Sequence, residues 1–207
     1  MGVTSLMSTL FIKEVASVHS LNQRNYVQGV GVNDSWYKTN KKVEGVVKTC
    51  PVYKRWGSML YRCYSEKYHA RFPTYKDCTV CDEWLLFSNF SCWYEENYVA
   101  GWDLDKDIIS KGNKVYSPEQ CLFVPPCVNY LLVNSNTYKG KQVSGVTREK
   151  GGRYKAQVSS KEGKRYLGVF EDIGDAHNAY VSGKNEEIVE MCIQYPSIAK
   201  HLKKHLL

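Results

Sequence analysis

The strictest alternation in the chain runs from Arg153 to Ser159, where Tyr154, Ala156 and Val158 interleave with Arg153, Lys155, Gln157 and Ser159. A period of two puts the first set on a buried face and the second on a polar one, so the segment predicts a half-buried strand. Gly145-Val146-Thr147-Arg148 before it and Tyr166-Leu167-Gly168-Val169-Phe170 after it read as two more strands. Ala176 and Ala179-Tyr180 then mark a helix. Upstream, Pro51 to Tyr64 places Trp56, Met59, Leu60 and Cys63 on one helical face. A turn-rich segment runs to Lys76, and Asp82 predicts the cap of a second helix with Trp84, Phe87, Phe90 and Trp93 packed inward. Residues 102–133 read strand, turn, strand, helix: Trp102 to Ile109, a Gly112-Asn113 turn, Glu119 to Val124, and a helix opened by Pro125-Pro126 through Val128, Leu131 and Leu132. Nearer the start, Val27 to Val32 and Val43 to Val47 read as short strands around an Asn-Asp-Ser turn.

The expected fold class is α+β: a central ββα module with a helical flank, then a small three-stranded antiparallel sheet with a helix. The expected boundaries are an extension at 1–49, the ββα module at 50–134, a polar linker at 135–142, the sheet-and-helix domain at 143–195 and a basic tail at 196–207.

Composition narrows the partners. A hydrophobic content of 43% and aromatic content of 13% belong to a chain that buries a core. No stretch approaches the length of a membrane span, and Met1 to Ser20 lacks a basic leader region and a cleavage site, which argues for the cytoplasm over secretion. The eight cysteines are irregularly spaced, with Cys78 and Cys81 the only tight pair. Cys121 and Cys127 make a poor second knuckle for structural zinc, so free thiols are the default. Charge is concentrated: Lys139 to Tyr166 holds nine Lys/Arg against two Glu, equal to the net +7 of the whole chain. Cations near phosphates release counterions, so this density points to nucleic acid.

The combination Gly145-Val146, the alternating strand, Leu167-Gly168-x-Phe170 and Ala176-x-x-Ala179-Tyr180 resembles the AP2 DNA-binding domain. The resemblance implies double-stranded DNA as partner, met by the open sheet face in a groove. Carried over by position, Gln157 and Ser159 on the second strand and Lys164 and Tyr166 on the third are contact residues, with Arg148, Arg153 and Lys155 adding charge or base contacts. Thr147 and Glu149 stand where plant members carry arginines, so their base preference does not transfer.

A second resemblance rests on Trp56-x-x-Met59, Arg62-Cys63-Tyr64, Tyr75, Cys81-x-x-Trp84-x-x-Phe87-x-x-Phe90, Leu104-Asp105-Lys106-Asp107, Tyr116-x-Pro118-x-x-Cys121 and Asn129. This run is similar to phage-encoded HNH-type endonucleases, whose ββα-metal module hydrolyses a phosphodiester. The resemblance implies Mg²⁺ or another divalent cation held by Asp105, Asp107 and Asn129. Lys106 stands where the general-base histidine sits and Gln120 where the middle asparagine sits. A lysine is a poor base unless strongly desolvated, which makes His69 a candidate replacement. Three functions follow: a metal-dependent DNA endonuclease of homing or nicking type, a DNA-binding protein with a degenerate nuclease site, and a phage factor that binds and inhibits a host protein.

Overall fold

The computed structural model describes residues 11–132 and 143–207. The expected linker, including Lys139 and Lys141, and the first ten residues lie outside them. The fold is α+β, with four small sheets of two, two, two and three strands among the described residues. The chain divides into two compact units, one of residues 1–98 with 112–121 and the other of 99–111 with 122–207.

The first unit begins with a short helix α1 (Val18–Asn22) capped by the Ser17 side chain. Strands β1 (Asn40–Val43) and β2 (Val46–Thr49) form a hairpin. Its turn is Glu44-Gly45, with φ of +50° and +79°. A two-residue turn with both φ positive matches the twist of the flanking strands. The expected strand from Val43 to Val47 is therefore a reversal, and at Val27 to Val32 only isolated bridges, Val27 to Gly31 and Val32 to Leu86, are present.

Helix α2 (Pro51–Tyr64) buries Trp56, Met59, Leu60 and Cys63. The segment read as turns contains helix α3 (Glu66–Arg71), started by the Ser65 hydroxyl accepting from the Tyr68 backbone N–H. Strand β3 (Thr79–Val80) pairs in parallel with a later strand, β5. Asp82–Leu85 is a 3-10 turn, and helix α4 (Phe87–Asn97) is entered from Leu86, four residues after the expected cap at Asp82. Phe87, Phe90, Ser91 and Tyr94 are its buried positions. The core here is aromatic: Trp56, Trp84, Phe87 and Phe90 are fully buried, and the Trp56 indole N–H donates to the Trp84 carbonyl at 2.7 Å.

The second unit takes β4 (Asp103–Asp105) and β6 (Leu122–Val124), an antiparallel pair, while β5 (Val115–Tyr116) stays with the first unit. The second strand of the pair is thus Leu122–Val124, not Glu119 to Val124. Helix α5 (Pro126–Leu132) packs on β4. Strands β7 (Val146–Arg148), β8 (Tyr154–Ser160) and β9 (Gly163–Phe170) form one antiparallel sheet in the order β7-β8-β9. Helix α6 (Ile173–Gln194), capped by Asp172, packs on all three strands.

One core joins these pieces: Ile108, Val124, Val128 and Leu131 pack with Val158, Tyr180, Ile188, Met191, Ile198 and Leu202. The region expected to be a tail is folded. Helix α7 (Ala199–Leu202) and a 3-10 turn at Lys203–His205 follow Ile198, and Ile198 and Leu202 are buried. Gly145, at φ +74°, lies so close to the Tyr180 ring that an added Cβ would overlap it. Only glycine meets both demands.

Candidate functional site

The sheet β7-β8-β9 has one face under α6, and its other face, left open among the described residues, is turned away from that helix. Register assigns the side chains. Val146, Ala156 and Gly168 are in line, as are Arg148, Tyr154 and Phe170, and Tyr154 and Phe170 pack into the cluster under the helix. The intervening row is Thr147, Lys155 and Val169, followed by the pairs Gln157–Tyr166 and Ser159–Lys164. A bulge at Ala156/Gln157 makes the β9 count irregular. It leaves Leu167 as the extra residue, packed inward close to Gly183. Without that bulge Tyr166 and Lys164 would fall on the opposite face from Val169.

The open face therefore gathers Lys155, Gln157, Ser159, Lys164 and Tyr166, with Arg153 in the turn leading into β8. Tyr166 is 59% exposed, an amphipathic ring with no ring contact among the described residues. Lys155 lies 3.7 Å from Glu149, a half-exposed pair that adds little stability. Arg148 stands in the helix-side row at the sheet edge and is exposed. Arg165, one residue from Lys164, is spent on the helix side. Its guanidinium donates to the Gly183 carbonyl at 3.1 Å and to Glu186 at 2.8 Å. Its Nε is 3.0 Å from the buried Glu187 carboxylate, close enough to pair though not aligned as a hydrogen bond. Burial pushes the Glu187 carboxyl up, and Arg165 pulls it back.

The candidate carboxylate site lies at the end of β4. Asp105 Oδ1 accepts the backbone N–H groups of Asp107 at 2.8 Å and Ile108 at 2.7 Å. This is an aspartate turning its own backbone. Burial raises the Asp105 carboxyl above the ordinary aspartate range, and the two N–H donors partly offset that rise. Lys106 is buried, and its ammonium donates to both oxygens of Asp107 at 2.8 and 2.9 Å.

Asp103, Asp105 and Asp107 do not share one strand face. Strand β4 ends at Asp105, and the turn carries Asp107 away to Lys106. Asn129 is on α5, half-buried, and α5 packs on β4. His69 belongs to the other unit, where Nε2 meets the Arg62 carbonyl at 2.9 Å, donating in the Nε2–H tautomer. Gln120 also belongs to that unit; its Oε1 is buried without a hydrogen-bond partner.

A hard divalent cation takes about six oxygen ligands. The donor set here does not fit one: Asp105 Oδ1 is spent on backbone, and Asp107 is neutralised by an ammonium. Among the described residues no group of three or more His, Cys, Asp or Glu converges. The eight cysteines are all free thiols. Among the same residues, no helix is long and apolar enough to cross a membrane.

Sequence reasoning missed the Arg165 clamp and the Asp105 turn. The first had a signal in Glu186-Glu187 on the helix that follows. The second had one in aspartate two residues before another backbone N–H. No protein-family model matches the chain, and neither a curated protein nor a solved structure does.

Proposed function

We propose that the chain binds double-stranded DNA through the open face of β7-β8-β9. The observation that carries this is the gathering of Lys155, Gln157, Ser159, Lys164 and Tyr166 on the sheet face turned away from α6. Lysines supply phosphate contacts and counterion release. Gln157 offers a paired donor and acceptor suited to adenine, and a β-sheet can reach base edges in the major groove. The AP2-like pattern of the sequence supports the same face. The test is binding of a labelled duplex over a salt series. Lys155→Gln/Lys164→Gln lowers the slope of log Kobs against log salt by about 2, since each lost phosphate contact removes about 0.9. An unchanged slope contradicts the reading.

Metal-dependent DNA nicking by an HNH-like module is the second reading. It is favoured by the packing of α5, which bears Asn129, on the strand that ends at Asp105. Against it stands the internal engagement of Asp105, Lys106 and Asp107. Plasmid nicking in Mg²⁺ and then Mn²⁺ decides. Cleavage by wild type and not by Asp105→Ala establishes the nuclease. Binding without cleavage leaves a DNA-binding relative whose catalytic site has decayed. A stable complex with a host protein, insensitive to changes at Arg153, Lys155 and Lys164, supports the third function instead.

A further inference from the structure

The C-terminal segment carries lysines that have no ion-pair partner among the described residues. Residues 196–207 contain Lys200, Lys203 and Lys204, two histidines and no Asp or Glu. Ile198 and Leu202 are buried in the core of the second unit, which turns Lys200 between them and Lys203 and Lys204 after them outward. Spacings of three and four residues along a helical segment place side chains side by side. Lys200, Lys203 and Lys204 are all exposed.

The segment is anchored to the turn that follows β4. Lys204 Nζ donates to the Ile109 carbonyl at 3.3 Å, and His205 Nε2 meets the Ile108 carbonyl at 3.1 Å. Two residues on from Ile109 is Lys111, also exposed. The contact of Lys204 with Ile109 therefore brings the C-terminal lysines to the turn that carries Lys111. Among the described residues none of them makes an ion pair, whereas Lys13, Lys41, Lys106 and Lys155 each have a carboxylate within 4 Å. The crowding is felt by neighbours. Burial first, then Lys200 and Lys204, hold the His201 imidazole below its ordinary value. Burial first, then Lys111, do the same to Lys184.

We propose that Lys111, Lys200, Lys203 and Lys204 form a second phosphodiester-binding surface, separate from the open sheet face and adjoining the turn after β4. It rests on the nucleic-acid reading of the chain. Uncompensated like charges at helical spacing are unfavourable in isolation, and a DNA backbone supplies the missing counter-charge in bulk. Unlike the sheet face, this surface offers only cations. It contributes affinity and orientation and no base preference. A duplex reaching both surfaces is held at the Asp105 turn as well as at the sheet.

The test is fluorescence anisotropy of a labelled duplex with the full chain over about 50–200 mM salt. Four proteins are compared: wild type, Lys200→Gln/Lys203→Gln, Lys111→Gln, and Lys155→Gln/Lys164→Gln. Lys204 is left in place to keep its contact with Ile109, and Lys111→Gln probes the surface from outside the C-terminal segment. The expected result is a salt slope reduced by about 2 in the C-terminal pair and by about 1 in Lys111→Gln, with equal proportional losses on duplexes of different sequence. If the C-terminal lysines only offset the carbonyl end of α6, the pair variant melts earlier and keeps the wild-type slope. That outcome, with the sheet variant still lowering the slope, overturns this proposal and leaves the sheet reading intact. Absence of wild-type binding overturns both.

Discussion

The open face of the three-stranded sheet and the turn after β4 are both rich in polar groups, and they use them in opposite ways. On the sheet, the side chains of Gln157, Ser159, Lys164 and Tyr166 point away from the helix, and they make no hydrogen bond or ion pair among the described residues. At the turn, Asp105 organises two backbone N–H groups and Lys106 is tied to Asp107. Arg165 shows the same division inside a single strand: next to the outward Lys164, it is consumed by Gly183, Glu186 and Glu187. Cation count alone does not locate a binding surface. What matters is which charges the fold leaves unspent.

That difference can be broken in stages. The largest effect is expected for Gly145→Ala, which forces a Cβ into the Tyr180 ring at a positive φ. Strain and overpacking together cost about 3 kcal/mol, visible as a lower denaturant midpoint, and DNA binding falls with the sheet. Arg165→Ala leaves Glu187 buried without its cation. A stability loss of about 2 kcal/mol follows, below the usual cost of a broken buried pair because Arg165 is partly exposed. The salt slope for DNA stays at the wild-type value. Lys155→Gln/Lys164→Gln does the reverse: stability holds within about 0.5 kcal/mol, and duplex affinity drops about tenfold or more at physiological salt.

The smallest effect is expected at Asp105→Asn, which keeps the oxygen that accepts both N–H groups. The folded Asp105 carboxyl is raised by burial, so the folded state retains its proton after the unfolded chain has lost its own. Wild-type stability therefore declines as pH rises from the ordinary aspartate range through the raised value, and is flat beyond. The asparagine variant lacks that decline and is at least as stable at pH 7, as denaturant titrations across pH 3–7 will show. A variant clearly weaker at pH 7 would mean the charge itself is needed at the turn.

The sheet of the second unit and helix α2 of the first were legible because period-two and helical patterns are local. The alternation at 153–159 placed Lys155, Gln157 and Ser159 on one side, and α2 ran from Pro51 to Tyr64 with the four inward residues read from its spacing. What escaped depends on distant partners or single residues. Two-residue strands such as β3 and β5 have no period to read, and their pairing is parallel and far apart in sequence. Helix α3 hinges on one serine cap, and the hairpin on Glu44 and Gly45 adopting positive φ. The basic end of the chain was read as a tail because its two anchors, Ile198 and Leu202, sit among lysines and histidines. Burial of those two residues in a core shared with Val124 and Val158 is a tertiary fact.

The central claim is that the open sheet face, with Lys164 outward and Lys155 held only loosely by Glu149, meets DNA. The most direct test is amide chemical-shift mapping of the labelled protein titrated with a short duplex. The account predicts that the largest changes fall on Lys155, Gln157, Ser159, Lys164 and Tyr166, while Arg165 and the helix-side residues Ala156 and Val158 move little. Shifts confined to the first unit, or to the turn at Asp105 with the sheet face silent, would contradict it.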